Sequence, residues 1–85
     1  MKRIHYPGTQ IPIQVGDLVL WYDDDTPSKV VFIISTNQFP AEEAGSIDWF
    51  RTEFGAGIMI DTPTVGRVLE SEDCEHITLI NSAQP

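Results

Sequence analysis

The chain has 85 residues, 41% of them hydrophobic, and sets thirteen acidic side chains against five basic ones for a formal charge of −8 at pH 7. A chain this short forms one domain of modest stability, since it buries only somewhat more than about 60% of its unfolded surface, yet its apolar share is large enough for a core and argues against disorder. Two of the five bases, Lys2 and Arg3, lie at the extreme N-terminus, leaving ten net negative charges from residue 4 onward; a field of that sign repels phosphate backbones and anionic lipid and speeds encounter with basic proteins.

Nothing in the first residues, MKRIHYPG, continues into the apolar run of a signal peptide, and no stretch approaches the length of a membrane span. Next, IPIQVGDLVLWYDD carries Pro12 and the turn dipeptide Gly16-Asp17. These predict a short edge strand near 10–15 and a stronger strand at 18–22. In that second strand Leu18, Leu20 and Tyr22 alternate with Val19 and Trp21; both sets are apolar, so coverage on both faces, or a place at a barrel seam, is expected. KVVFIIST, residues 29–36, is rich in β-branched side chains and reads as the antiparallel partner of a hairpin.

After Phe39-Pro40 the period changes. AEEAGSIDWFRTEFG places Ile47, Phe50 and Phe54 at helical spacing, with Ser46 as a candidate N-cap and Gly55 as the stop, so one helix of about 8 to 14 residues is expected. Glu42, Glu43 and Asp48 lie toward its positive end, where the macrodipole favours negative charge. Three short strands follow near 57–61, 66–70 and 76–80, separated by Asp-Thr-Pro and by the acidic run ESEDCE, and the tail SAQP is expected to be loose. YDDDTPSKVVF and MIDTPTVGRVL echo one another, which is read as one hairpin device used twice, because Asp opening a turn with Pro after it is ordinary turn chemistry.

The fold class expected is mostly β with one helix, a small bent antiparallel sheet or an SH3-like, partly open barrel of about five strands. VGDLVLWY followed by a hairpin resembles the opening of SH3-like barrels; the resemblance ends with that hairpin, and the helix after it departs from the plain pattern.

Asp23, Asp24 and Asp25, between two apolar runs, admit three readings: a metal loop, a solvated turn, or part of an acidic surface aimed at a basic partner. A calcium loop of the EF-hand kind needs Gly at its sixth position and Glu at its twelfth, where this chain has Ser28 and Ile34. A hard cation held with a distant Asp61 is the remaining metal reading, and a charged turn that keeps the hairpin soluble is the structural one. His5, His76 and Cys74 lack zinc-site spacing. Cys74 is the single cysteine, so no internal disulfide forms and a reducing, cytoplasmic setting fits best. Its neighbours in EDCEH are carboxylates, which raise a thiol's pKa and make it a poor nucleophile. No catalytic residue, cofactor or metal site is expected.

Trp49 is adjacent to Phe50. If Phe50 faces the core, Trp49 points about 100° away, exposed beside Asp48 and Glu53 in the manner of an interface anchor with a charged rim; the alternative is that it packs under a loop. The expected partner-binding residues are Asp23, Asp24, Asp25, Glu42, Glu43, Asp48, Trp49 and Glu53. In size, acidity and cytosolic character the chain resembles bacterial immunity proteins, which block a cognate toxin, often a nuclease. That resemblance is compositional and carries no residue role. It implies a non-catalytic inhibitor whose carboxylates occupy the toxin's phosphate-binding surface. A small metal-dependent or hydrolytic enzyme, or a regulatory or structural subunit, are the alternatives, and neither partner identity nor oligomeric state follows from the sequence.

Overall fold

The structure, a computed structural model, describes residues 4–22 and 25–83. Five strands and one helix follow in the order β1 (Leu18–Trp21), β2 (Ser28–Ile33), a 3-10 turn (Ala41–Glu43), α1 (Ala44–Phe54), β3 (Ile58–Thr62), β4 (Gly66–Glu70) and β5 (Ile77–Asn81). The strands make one antiparallel sheet in the order β4-β3-β2-β1-β5. The sheet is open, with β4 and β5 as its edges.

Strand identity follows the β-branched and aromatic runs, and alternation divides their side chains between two faces. On β3, Ile58 and Ile60 join one apolar cluster while Met59 joins the other. The first cluster also contains Val19, Val30, Ile33, Cys74 and Ile77, and is closed by Ile4, Tyr6 and Ile13 from an N-terminal arm. The second holds Phe32, Ile34 and Met59 against Ile47, with Phe50 and Leu69 at its margin. On β2 the register shifts between Val30 and Phe32. The extra residue of this bulge leaves Val31 and Phe32 both on the helix side, and Ile33 returns to the arm side. Coverage on both faces, expected for the strand at 18–22, therefore falls most fully on β2 and β3. On β1, Val19 is buried while Leu18 and Leu20 are half-buried.

The edge strand expected at 10–15 does not form. Proline lacks an N–H to give a ladder, and Pro12 makes only an isolated bridge with His5. Ile13 N–H donates to the Ile4 carbonyl at 2.9 Å and Tyr6 N–H to that of Ile11 at 3.1 Å, folding residues 4–13 into a small arm. The helix begins at Ala44, two residues before Ser46, and neither Glu43 nor Ser46 supplies a side-chain cap to its first amides. The 3-10 turn after Pro40 leads the backbone into helical geometry instead. Gly55, at φ 80°, ends the helix as expected, its N–H donating to Arg51 O.

The β4–β5 connection, residues 71–76, carries the chain from one sheet edge to the other. Four strand intervals amount to about 19 Å in a flat sheet, close to the limit of so few peptide units, so bending eases the crossing. The bend is visible in Trp21 of β1, whose indole Nε1 donates to Glu70 Oε2 at the end of β4 at 3.1 Å. Glu72 fastens the crossing: its carboxylate accepts from Ser35 N–H (3.2 Å), Ser35 Oγ (2.6 Å) and Gly57 N–H (2.9 Å). Gly57 has φ 146°, and a Cβ there would meet the Leu69 side chain at 2.8 Å, so only glycine brings β3 and β4 this close. The paired Asp-Thr-Pro stretches both lie in hairpin connections, but differently: Asp25-Thr26-Pro27 precedes β2, whereas Asp61 and Thr62 end β3 and Pro63 opens its turn. The Thr62 hydroxyl donates to Gly66 O and accepts from Val65 N–H, closing the three-residue loop.

Candidate surface on the helix

Helix α1 lies on the sheet through Ile47, which is 1% exposed, and through Phe50, whose ring stands 5.7 Å from that of Phe32. Trp49 is 57% exposed, turned about 100° from Phe50 and not packed under a loop. Phe54 differs from the sequence expectation: it was expected in the core with Ile47 and Phe50 and is 60% exposed. The apolar cluster beneath the helix reaches Ile47 and Phe50 but not Phe54, which sits in the last turn before Gly55. Its ring stacks on Phe50 at 5.8 Å, and Trp49 stands edge-on to Phe50 at 4.9 Å and to Phe54 at 6.4 Å. The result is a contiguous aromatic surface of three rings. Phe54 was the member that periodicity hid, because spacing reports a helix face and not where the sheet beneath it ends.

The expected carboxylates are distributed unevenly around this surface. Glu42, Asp48 and Glu53 are exposed. Asp48 accepts from Arg51 Nη1 at 2.8 Å, and Arg51 also donates to Asn37 Oδ1, so part of its charge is neutralised. Among the described residues Glu42 and Glu53 are in no ion pair. Glu43 is turned inward, 9% exposed, and takes both Arg67 nitrogens in a bidentate bond at 2.8 Å each. The Arg67 guanidinium holds the Glu43 carboxyl below its ordinary pKa, and the carboxylate in turn raises that of Arg67. This pair ties the entry of α1 to β4, which commits Glu43 to the fold and not to the surface beside Trp49. Asp25 is exposed in the β1–β2 connection; Asp23 and Asp24 lie outside the described residues. Asp61 faces Lys29 on one neighbouring strand and Arg67 on the other in the sheet register, a mixed-charge setting.

Chemistry elsewhere is sparse. Cys74 is 2% exposed. Burial above all, then the charges of Asp73, Glu72 and Glu70, pushes its thiol up to about 11, so it is held in the unreactive form at neutral pH. Burial and the hydrogen bond to Asp17 likewise raise the Tyr6 phenol. Among the described residues no three His, Cys, Asp or Glu side chains converge as a metal site, and no helix is long and apolar enough to cross a membrane. The sequence reading missed Asp17, fully buried behind a dipeptide read only as a turn. It accepts from Tyr6 OH (2.7 Å), Gln14 N–H (3.0 Å) and Ala83 N–H (2.7 Å), joining the arm, the turn and the C-terminal tail. No family model, curated protein or solved structure matches this chain.

Proposed function

We propose that the chain is a non-catalytic acidic binding protein that captures a basic protein partner through α1. Trp49 and Phe54 are the anchors, and Asp48 and Glu53, their neighbours on the helix, form the rim, while Glu42 lies back beside Lys29 and Arg67. The observation that carries this reading is the contiguous aromatic surface of Trp49, Phe50 and Phe54, with the exposed Asp48 and Glu53 next to Trp49 and Phe54 on the helix. Large rings left in water favour burial in a partner's pocket. The molecule's charge of −8 selects a basic partner and disfavours a second copy of the same chain.

In its finer form the partner is a toxin such as a nuclease, and the chain is the immunity protein that covers its phosphate-binding surface. That form rests on the likeness in size and acidity. The test is the kinetics of binding to a basic protein encoded beside this chain or co-purifying with it, measured against salt. Glu53→Lys should slow association and flatten its salt dependence, because attraction between exposed charges is screened over about 8 Å at physiological ionic strength. Trp49→Ala should speed dissociation and leave association nearly unchanged. Association indifferent to both salt and Glu53→Lys, with unchanged dissociation of Trp49→Ala, rejects the reading.

A further inference from the structure

The two edges of the sheet are unlike one another. On β4 the outer strand carries Arg67 and Glu70, both engaged in side-chain bonds, and begins with Gly66. Charged side chains on an edge discourage further strand pairing. β5, reading ITLIN, has no charge, no proline and no glycine, and its one irregularity is the register shift against β1 at Ile80. Ahead of that bulge, Ile77–Leu79 has no strand on its outer side among the described residues; Ile77 N–H turns back to Cys74 O at 3.3 Å, which leaves Ile77 C=O and Leu79 N–H facing outward. Alternate residues of such an edge turn their N–H and C=O groups away from the neighbouring strand.

An open groove of about 380 Å³ runs along this stretch. Tyr6, Thr9 and Ile11 of the arm form one wall, and Glu75, Ile77 and Leu79 the other. No lysine or arginine lines it among the described residues. At the end of the groove nearest the start of β5, the Glu75 side chain is 69% exposed, its carboxylate 3.9 Å from His76 Nε2, and its backbone N–H donates to the exposed Asp73 carboxylate. Next to them the Tyr22 ring stacks on His76 at 4.3 Å and 14°. Tyr22 holds φ 55°, a left-handed conformation in which bulky side chains are rare, while 54% exposed. Strain of this kind collects at ligand-binding positions.

We propose that β5 and its groove bind an extended peptide segment, which adds a sixth strand to the sheet and sets an arginine or lysine beside Glu75. Main-chain pairing supplies affinity, the apolar walls take an alternate side chain, and the acidic, aromatic end selects the cation. This surface is separate from α1: β5 contributes to the cluster on the opposite face of the sheet, so the inference stands or falls independently of the helix.

The experiment is amide-resolved magnetic resonance on the labelled protein, titrated with a seven-residue peptide of alternating threonine and valine ending in arginine. Shifts are expected across Ile77–Leu79 and slowed amide exchange at Leu79, with Tyr22 and His76 also displaced. Methylating alternate peptide amides should weaken binding by about tenfold or more, since main-chain hydrogen bonds are lost. Glu75→Lys should weaken the arginine peptide and favour the same peptide ending in glutamate, and Trp49→Ala should change nothing. No response at β5 at about 1 mM peptide, a range that detects even weak binding, overturns the proposal. So does binding indifferent to methylation. Concentration-dependent shifts at β5 without peptide, accompanied by a dimer in sedimentation, assign the edge to a second copy and overturn it as well.

Discussion

Asp17 is the residue on which most of the tertiary wiring converges. A carboxylate with 0% exposure is tolerable only when its oxygens are well supplied with donors, and here a phenol and two backbone amides supply them. Asp17→Ala strands all three donors and should lower stability by about 3 to 5 kcal/mol. Tyr6→Phe removes one donor to the buried carboxylate and keeps the ring in the core, so about 1.5 to 3 kcal/mol is expected. Urea titration of the two variants checks this, and equal losses would show that the phenol–carboxylate bond alone, and not the two backbone amides, accounts for the site. Neither Asp17 nor Glu72 was legible as a hub. Their partners, Ala83 in one case and Ser35 and Gly57 in the other, are remote in sequence, and Gly-Asp and Ser-Glu-Asp read locally as turn and solvated charge.

At the scale of elements, the strands after residue 17 were legible, because β-branched runs bounded by Asp, Thr, Pro and Gly leave little else for the backbone to do. The helix was legible in existence and in its glycine stop. Its start was not, since a Ser ahead of an apolar residue imitates an N-cap whether or not a 3-10 lead-in has already begun the turn. Of the two readings the sequence left open for Trp49, the structure has it exposed, while Phe54, expected in the core, is exposed as well. The helix therefore divides its aromatic residues between two tasks, and substitution should separate them. Phe50→Ala, which undercuts the contact with Phe32, should reduce stability by about 2 kcal/mol, less than a fully buried phenylalanine would. Trp49→Ala should stay within about 1 kcal/mol of the wild type, as surface substitutions do. Denaturant midpoints for both variants test the orientation of α1, and a larger loss for Trp49→Ala would reverse it.

At the scale of the whole molecule the charge excess serves encounter and leaves the fold dependent on a few neutralised pairs. Glu43 and Arg67 are the clearest. The Glu43 carboxyl is held below its ordinary value of 4.5 by Arg67, so the folded state binds its proton less readily than the unfolded chain does. The stabilisation is fully present above that ordinary value and fades as pH falls through the depressed one. Unfolding measured from pH 7 downward should show stability declining on the acid side, with a shallower decline in Glu43→Gln. An unchanged acid slope in the variant would place the sensitivity in other carboxylates. The acidity of the surface was fully legible from composition. Which carboxylates are free to act was not, because the pairing of Glu43 with Arg67, 24 residues away, is made only by the folded chain.

The strand order has a consequence for the path by which the molecule forms. β2, α1, β3 and β4 follow one another directly and can assemble from neighbours in sequence, whereas β1 finds β5 only after the rest of the chain has been laid down between them. Closing so long a loop is entropically slow, so the β2–β3–β4 meander with its helix is the natural nucleus and the β1–β5 seam zips last. The β1–β5 pair, joined to β2 through only two register pairs, Leu18 with Lys29 and Val19 with Ser28, is expected to open first in the native state. Amides of β5 are expected to lose protection from hydrogen exchange at denaturant concentrations where those of β3 remain closed, giving the molecule a stable half and a half that breathes.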